Sequence, residues 1–165
     1  TKRYDLITID PPPPISASGS GLLYSADFMK HVAARLKDDG VLSHWIPTEE
    51  PQLVGHVLAA IRSQFRYVKL FTNDSLLPVG VHFIASNRPL RDMTDAERAA
   101  TLSPRAAKDL MEFNWEYPAD LSAAEFFEGW RQVPLEKYWP QGAVIEPLSD
   151  DRRFNEFFMF TRRSQ

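Results

Sequence analysis

A single carboxylate at the end of a predicted strand is the side chain best placed for chemistry in this sequence. Residues 4–10 are rich in apolar and β-branched side chains, and the run ends at Asp10. Four prolines follow, which fix φ and remove four backbone donors, so the chain must leave Asp10 as a stiff loop. In open α/β sheets, ligands bind beyond the carboxyl ends of the strands. Asp10 is therefore predicted to line a ligand site as an acid or base.

Other polar residues fall near the same predicted edge. Tyr24 and Ser25 come just before a predicted helix, where packing of the tyrosine and capping by the serine would explain both; a place beside the cleft is the alternative. His44 and Trp45 end the second predicted strand on the ligand-facing edge, although a histidine in such a place is more often a hydrogen-bonded core or rim residue.

Metal and nucleophile chemistry receive no support from the sequence. The remaining histidines, His31, His56 and His82, show no spacing typical of ligands, and the chain has no cysteine. No phosphate-binding loop and no Ser-His-Asp arrangement stands out either. No metal site is predicted.

The elements that must position these residues alternate between strand and helix. Helical spacing predicts a helix from Ala26 to Lys37, ended by a turn with Gly40 in the left-handed conformation. A strand over 41–46 and a helix capped by Thr48 come next, then strands over 67–72 and 79–86. Because only a short loop joins the last two strands, they are predicted to be antiparallel. This order is that of half of a doubly wound α/β sheet with an edge hairpin.

The chain changes character after Pro89. Residues 94–97 and 122–125 match the capping box, and Ser103-Pro104 is a good helix start, so three short helices are predicted. Aromatic residues are frequent in this part, which favours packing against other structure. We expect one domain over residues 1–90 and a helical, aromatic-rich appendage over 91–165.

Composition restricts the class of protein and its partners. The 165 residues are 44% hydrophobic and 25% charged, which is typical of a globular domain. A net charge of −3 and the lack of a basic run argue against a nucleic-acid partner, and no apolar run could span a bilayer. A soluble, cytoplasmic protein is predicted. The chain opens at Thr1, without a methionine, and enters a strand almost at once, so either processing or design made this end or an upstream segment is missing.

Four stretches of the sequence together resemble the spermidine synthase family of aminopropyltransferases, and most closely its long bacterial relatives that are often fused to membrane segments. They are residues 5–10 with the prolines, 21–28, 37–40 and the tail 148–157. The resemblance covers residues 4 to about 90 and that tail. It implies the last strands of a Rossmann-like class I methyltransferase fold, without the half of the sheet that binds decarboxylated S-adenosylmethionine or S-adenosylmethionine.

The resemblance also implies roles for individual residues. Asp10 matches the general base that takes a proton from the attacking amine, while the second aspartate of the family, which holds the amine, is replaced by Pro13. Pro11 and Pro12 would border the cofactor. Asp74 or Ser75 falls nearest the position of a tyrosine that borders the amine.

Further residues are candidates for the amine site. Tyr24 and His44 would line it, and Asp150 and Asp151 would replace the lost anchor, unless these two carboxylates only form a solvated turn. This chain would thus be related to aminopropyl transfer, yet inactive by itself.

Two alternatives to aminopropyl transfer remain open. The first is a non-catalytic interaction module, because a strand at 4–10 without its upstream neighbours has an unpaired edge. That edge would pair with a missing amino-terminal half or with a second copy, as a homodimer. The second is a methyltransferase fragment, since the same sheet serves both reactions and prolines follow an acidic or amide residue there in some amine methyltransferases.

Overall fold

A computed structural model describes residues 2–11, 20–73, 80–112 and 122–151. Three of the residues predicted to form the site, Pro12, Asp74 and Ser75, lie outside these ranges. The described residues form a mixed α/β structure with an open five-stranded sheet, which confirms the α/β class.

The sheet contains parallel and antiparallel strands. Its members are β1 (Tyr4–Ile9), β2 (Leu36–Ile46), β3 (Tyr67–Asn73), β4 (Val81–Ser86) and β5 (Trp130–Val133), and their spatial order is β1-β2-β4-β3-β5. β1 is parallel to β2, whereas β4 is antiparallel to both β2 and β3. The predicted antiparallel pairing of the last two strands of residues 1–90 is therefore confirmed. β1 is the outermost strand on its side.

Two helices cover one face of this sheet. They are α1 (Ala26–Arg35), which follows a short 3-10 helix (Ser20–Tyr24), and α2 (Pro51–Arg62). The predicted apolar face of α2 is confirmed, since Leu53, Val57, Leu58 and Ile61 are all buried. Alternate residues of β2 are buried with them, as a strand with one covered face requires. The core therefore lies between the helices and one face of the sheet.

The predicted turn after α1 is wrong. The helix ends at Arg35, Leu36 is already extended, and β2 runs through the residues assigned to the turn. Gly40 is not in the left-handed conformation. A Cβ there would come within 3.0 Å of the carbonyl oxygens of Lys37 and Tyr4 and of the Leu36 side chain, so close approach of β1 and of the preceding residues favours glycine at this position.

The start of α2 also differs from the prediction. Glu50 is the N-cap residue and its side chain makes no capping hydrogen bond. Thr48 lies two residues earlier, where its hydroxyl accepts a hydrogen bond from the Glu50 amide. Pro51 at the first helical turn tolerates this arrangement because its missing N–H needs no partner there.

The described residues of the range 91–131 include three short helices, as predicted. They are α3 (Asp95–Ala100), α4 (Pro104–Glu112) and α5 (Ala123–Glu128). Both predicted capping boxes are present: Thr94 and Glu97 satisfy each other's backbone amides, and so do Ser122 and Glu125.

The contacts divide the chain into two compact units. One comprises the described residues of Thr1–Thr72, Val79–Leu90 and Gln132–Gln165, and the other those of Asn73–Pro78 and Arg91–Arg131. Residues 132–151 therefore belong with the sheet and its two helices. In the parts of the chain that the structure describes, no helix has the length and apolar character to cross a bilayer.

Candidate functional site

The carboxyl ends of β1 and β2 meet at one edge of the sheet. Their parallel register places Ile9 beside His44, and Asp10 extends one residue beyond β1. Asp10 is exposed, whereas Pro11 behind it is buried. Asp10 therefore lies just beyond the carboxyl end of β1, as the sequence predicted, and in doubly wound sheets such strand ends are where ligands bind.

His44 is a buried, neutral imidazole. It is 1% exposed, and burial lowers its pKa to about 4, although the backbone of Ile9 and Leu23 acts in the opposite direction. Its Nδ1 lies 3.3 Å from the Ile9 carbonyl oxygen, which can only accept, so Nδ1 carries the proton. Nε2 is left as an acceptor, and it has no hydrogen-bond partner.

Tyr24 stacks on His44. The two ring centroids are 4.9 Å apart with an interplanar angle of 22°. Tyr24 is fully buried, yet its hydroxyl makes no hydrogen bond. Burial raises the pKa of Tyr24, and the negative charge of Asp10 raises it further. Two unsatisfied buried polar atoms in one stacked pair are unusual, because each costs about 1–3 kcal/mol when it lacks a partner.

His82 is a neighbour of this edge that the sequence analysis did not assign to it. The antiparallel register sets His82 of β4 opposite Trp45 of β2, and their ring centroids are 6.1 Å apart. Burial lowers the pKa of His82, while the charge of Asp10 opposes that shift. The only sequence signal was the hairpin itself, and its register had to be known before residue 82 could be placed.

The segment near residue 150 reaches the same part of the fold through the start of α1. Ser25 caps the helix by accepting a hydrogen bond from the Phe28 amide, as predicted, and its hydroxyl donates to Asp150 at 2.6 Å. The Asp150 amide in turn donates to Asp27 at 3.1 Å. Asp150 is thus bound to Ser25, the residue that follows Tyr24 in the chain. Asp151, in contrast, is exposed and makes no such contact among the described residues.

The groups gathered at this edge are mainly hydrogen-bond acceptors. The carboxylate of Asp10 and Nε2 of His44 can only accept, and the hydroxyl of Tyr24 can do either. Such a set suits a ligand rich in N–H donors, and the carboxylate favours a positive charge. Among the described residues, no group of three or more acidic or histidine side chains could hold a metal ion.

No family model matches the chain, and no curated protein matches it with significance.

Proposed function

We propose that this chain supplies the amine-binding side of a transferase similar to the spermidine synthases. In this proposal Asp10 binds a protonated amine and later accepts a proton from it. Tyr24 and His44 are buried in this structure, so in this proposal the edge opens on binding and their unpartnered atoms then receive further N–H groups of the same amine. The observation that carries the proposal is the pair of buried, unpartnered acceptors beside a carboxylate at the ends of two parallel strands.

The strand order supports the fold implied by the resemblance. An antiparallel strand, β4, is inserted between β2 and β3, which run parallel to each other. In the class I methyltransferase fold, the strands that come last in the sequence have this arrangement. Sheet topology alone does not separate aminopropyl transfer from methyl transfer, so the choice of reaction rests on the acceptor set at Asp10.

The chemistry required of the residues is limited. An amine is protonated near neutral pH and becomes a nucleophile only when one nitrogen loses its proton. A carboxylate attracts the ammonium form and offers an oxygen to the departing proton. His44 is suited to orient the amine because its tautomer is fixed by the Ile9 carbonyl, which leaves Nε2 as an acceptor.

The described residues do not fit decarboxylated S-adenosylmethionine. No described strand lies beyond β1, where the resemblance implies the groups that hold the ribose and adenine. We therefore derive no step that passes through the cofactor, and we expect the chain by itself to bind a nucleoside weakly or not at all.

Two titrations test the proposal. Isothermal titration with methylthioadenosine and with S-adenosylmethionine should give no measurable heat. Micromolar binding by the 165-residue chain would contradict the proposal that the nucleoside site belongs to another half of the sheet. In ¹⁵N NMR, putrescine should shift the Nε2 resonance of His44 as that nitrogen accepts a hydrogen bond.

A charge-matched pair of variants makes the amine titration specific. Asp10→Asn should abolish the putrescine effect, whereas Asp39→Asn, which removes an exposed carboxylate near the other end of β2, should leave it unchanged. Equal losses in both variants, or no shift of His44 at about 50 mM putrescine, would refute amine binding at this edge.

A second candidate function is association through the free edge of β1. The strand is outermost in the sheet, and Leu6 is 57% exposed. An edge with exposed apolar side chains is a template for a further strand, from a second copy or from a separate half of a larger sheet. This candidate does not require catalysis.

Light scattering tests self-association directly. The Leu6→Lys substitution should convert a dimer to a monomer, whereas Lys30→Gln, at an exposed position of α1, should leave the dimer intact. That result would support pairing of two copies. A clean monomer at about 100 μM would exclude a dimer whose dissociation constant is below that concentration.

A further inference from the structure

A basic cavity lies on the sheet-containing unit, where α2 ends and β3 begins. Its volume is about 260 Å³. Arg62 is the last residue of α2, and Arg66, Tyr67 and Lys69 follow within one short stretch of chain. All four residues line the cavity. It has no part in the site proposed above.

The lining is strongly positive although the whole chain has a net charge of −3. Three lining residues are cationic and none is acidic. Among the described parts of the chain, the guanidinium groups of Arg62 and Arg66 make no ion pair and no hydrogen bond. Like charges in one cavity repel each other, so a bound anion would relieve the repulsion.

Aromatic rings hold both arginines in place. The guanidinium carbon of Arg62 lies 4.8 Å from the centroid of the Trp139 ring, and that of Arg66 lies 5.5 Å from the centroid of Tyr67. Stacking uses the face of a guanidinium and leaves its N–H edges available. Arginine binds phosphate and carboxylate groups through paired hydrogen bonds, and two arginines line this one cavity.

The remaining lining limits the ligand further. Val68, Leu90 and Leu135 supply an apolar wall. Drug-sized sites span roughly 300–1,000 Å³, and this cavity is slightly smaller than that range. A small anion with a short apolar part fits these dimensions better than a nucleotide or a peptide.

We propose that this cavity binds a small multivalent oxyanion, a phosphate ester or a polycarboxylate, through the guanidinium groups of Arg62 and Arg66. Lys69 also lines the cavity. The proposal is independent of the amine site and of any transferase activity, so neither stands or falls with the other.

Calorimetry on the full chain tests the proposal with inorganic phosphate, pyrophosphate and citrate as separate probes. At least one should bind with a Kd below about 1 mM, and the tighter class identifies phosphate or carboxylate as the natural group. Arg66→Gln should weaken binding at least about tenfold. Arg62→Lys should weaken it several-fold although the charge is kept, because the planar fork is lost.

The control is Arg35→Gln, which also removes an exposed arginine from the last position of a helix, here α1. It should leave the Kd unchanged. An equal loss with Arg35→Gln, or no binding of any probe at about 10 mM, would overturn the proposal. Circular dichroism of each variant shows whether its fold is intact. If a variant fails to fold, the wild-type protein still gives a test, because the NMR signals of its Arg62 and Arg66 side chains should shift when the probe binds.

Discussion

Mild acid should destabilise this protein through His44. Its pKa is about 4 in the folded chain, against 6.5 for an unperturbed histidine. The unfolded chain therefore binds more protons between these values, and stability rises with pH across that window. The contribution of His44 is complete above pH 6.5 and is lost as the pH falls towards 4.

The size of the effect follows from the gap between the two pKa values. At about 1.4 kcal/mol for each pH unit, the full gap from 6.5 to about 4 corresponds to a loss of about 3 kcal/mol. Between pH 7 and pH 5 the same linkage gives about 2 kcal/mol. Burial also lowers the pKa of His82, so wild-type stability should fall by somewhat more than His44 alone contributes.

Urea unfolding at pH 7 and pH 5 measures the effect, and His44→Phe isolates it. The phenylalanine keeps an aromatic ring between Tyr24 and Phe83, both of which contact His44. The loss of the hydrogen bond to Ile9 is common to both pH values and cancels in the difference. The drop from pH 7 to pH 5 should be about 2 kcal/mol smaller in His44→Phe than in the wild type.

The matched control is His31→Gln, which removes an exposed histidine from α1 and should leave the wild-type drop in place. Equal drops in the wild type and His44→Phe would refute the reasoning. An NMR titration of His44 with a midpoint near 6.5 would refute it independently.

Three further substitutions have defined outcomes in the same unfolding assay. Gly80→Ala should cost about 3 kcal/mol or more, because φ is +92° and the new Cβ would overlap the Ile46 carbonyl oxygen; a loss below 1 kcal/mol would show that the turn adjusts. Tyr24→Phe should be neutral or stabilising by up to about 1 kcal/mol, since the hydroxyl has no partner, while putrescine binding weakens; a clear loss of stability would mean that the hydroxyl is bonded. Ser25→Ala should cost about 1–2 kcal/mol through the helix cap and the bond to Asp150, and Ser25→Thr should restore most of it.

The sequence by itself determined the features that depend on near neighbours in the chain. A run of apolar and β-branched residues located β1, and helical spacing located the buried face of α2. The capping boxes at Thr94 and Ser122 located two helix starts. Asp10 at a strand end followed from the same local pattern. These features were predictable because period, caps and proline restrictions act within a few residues.

Only the tertiary structure decided what lies against what. Gly40 looked like a helix terminator, but it lies in β2, where the close approach of Tyr4, 36 positions earlier in the chain, restricts it together with Leu36 and Lys37. The insertion of β4 beside β2 brings His82 next to Trp45, which no local pattern encodes.

The candidate site shows the same division. Asp10 could be found from its own strand, whereas the stacked pair of Tyr24 and His44 beside it depends on how α1 packs on the sheet. Whether a buried hydroxyl or imidazole has a partner is decided by groups distant in sequence. That is why the sequence located the carboxylate, and only the fold revealed the two unsatisfied acceptors beside it.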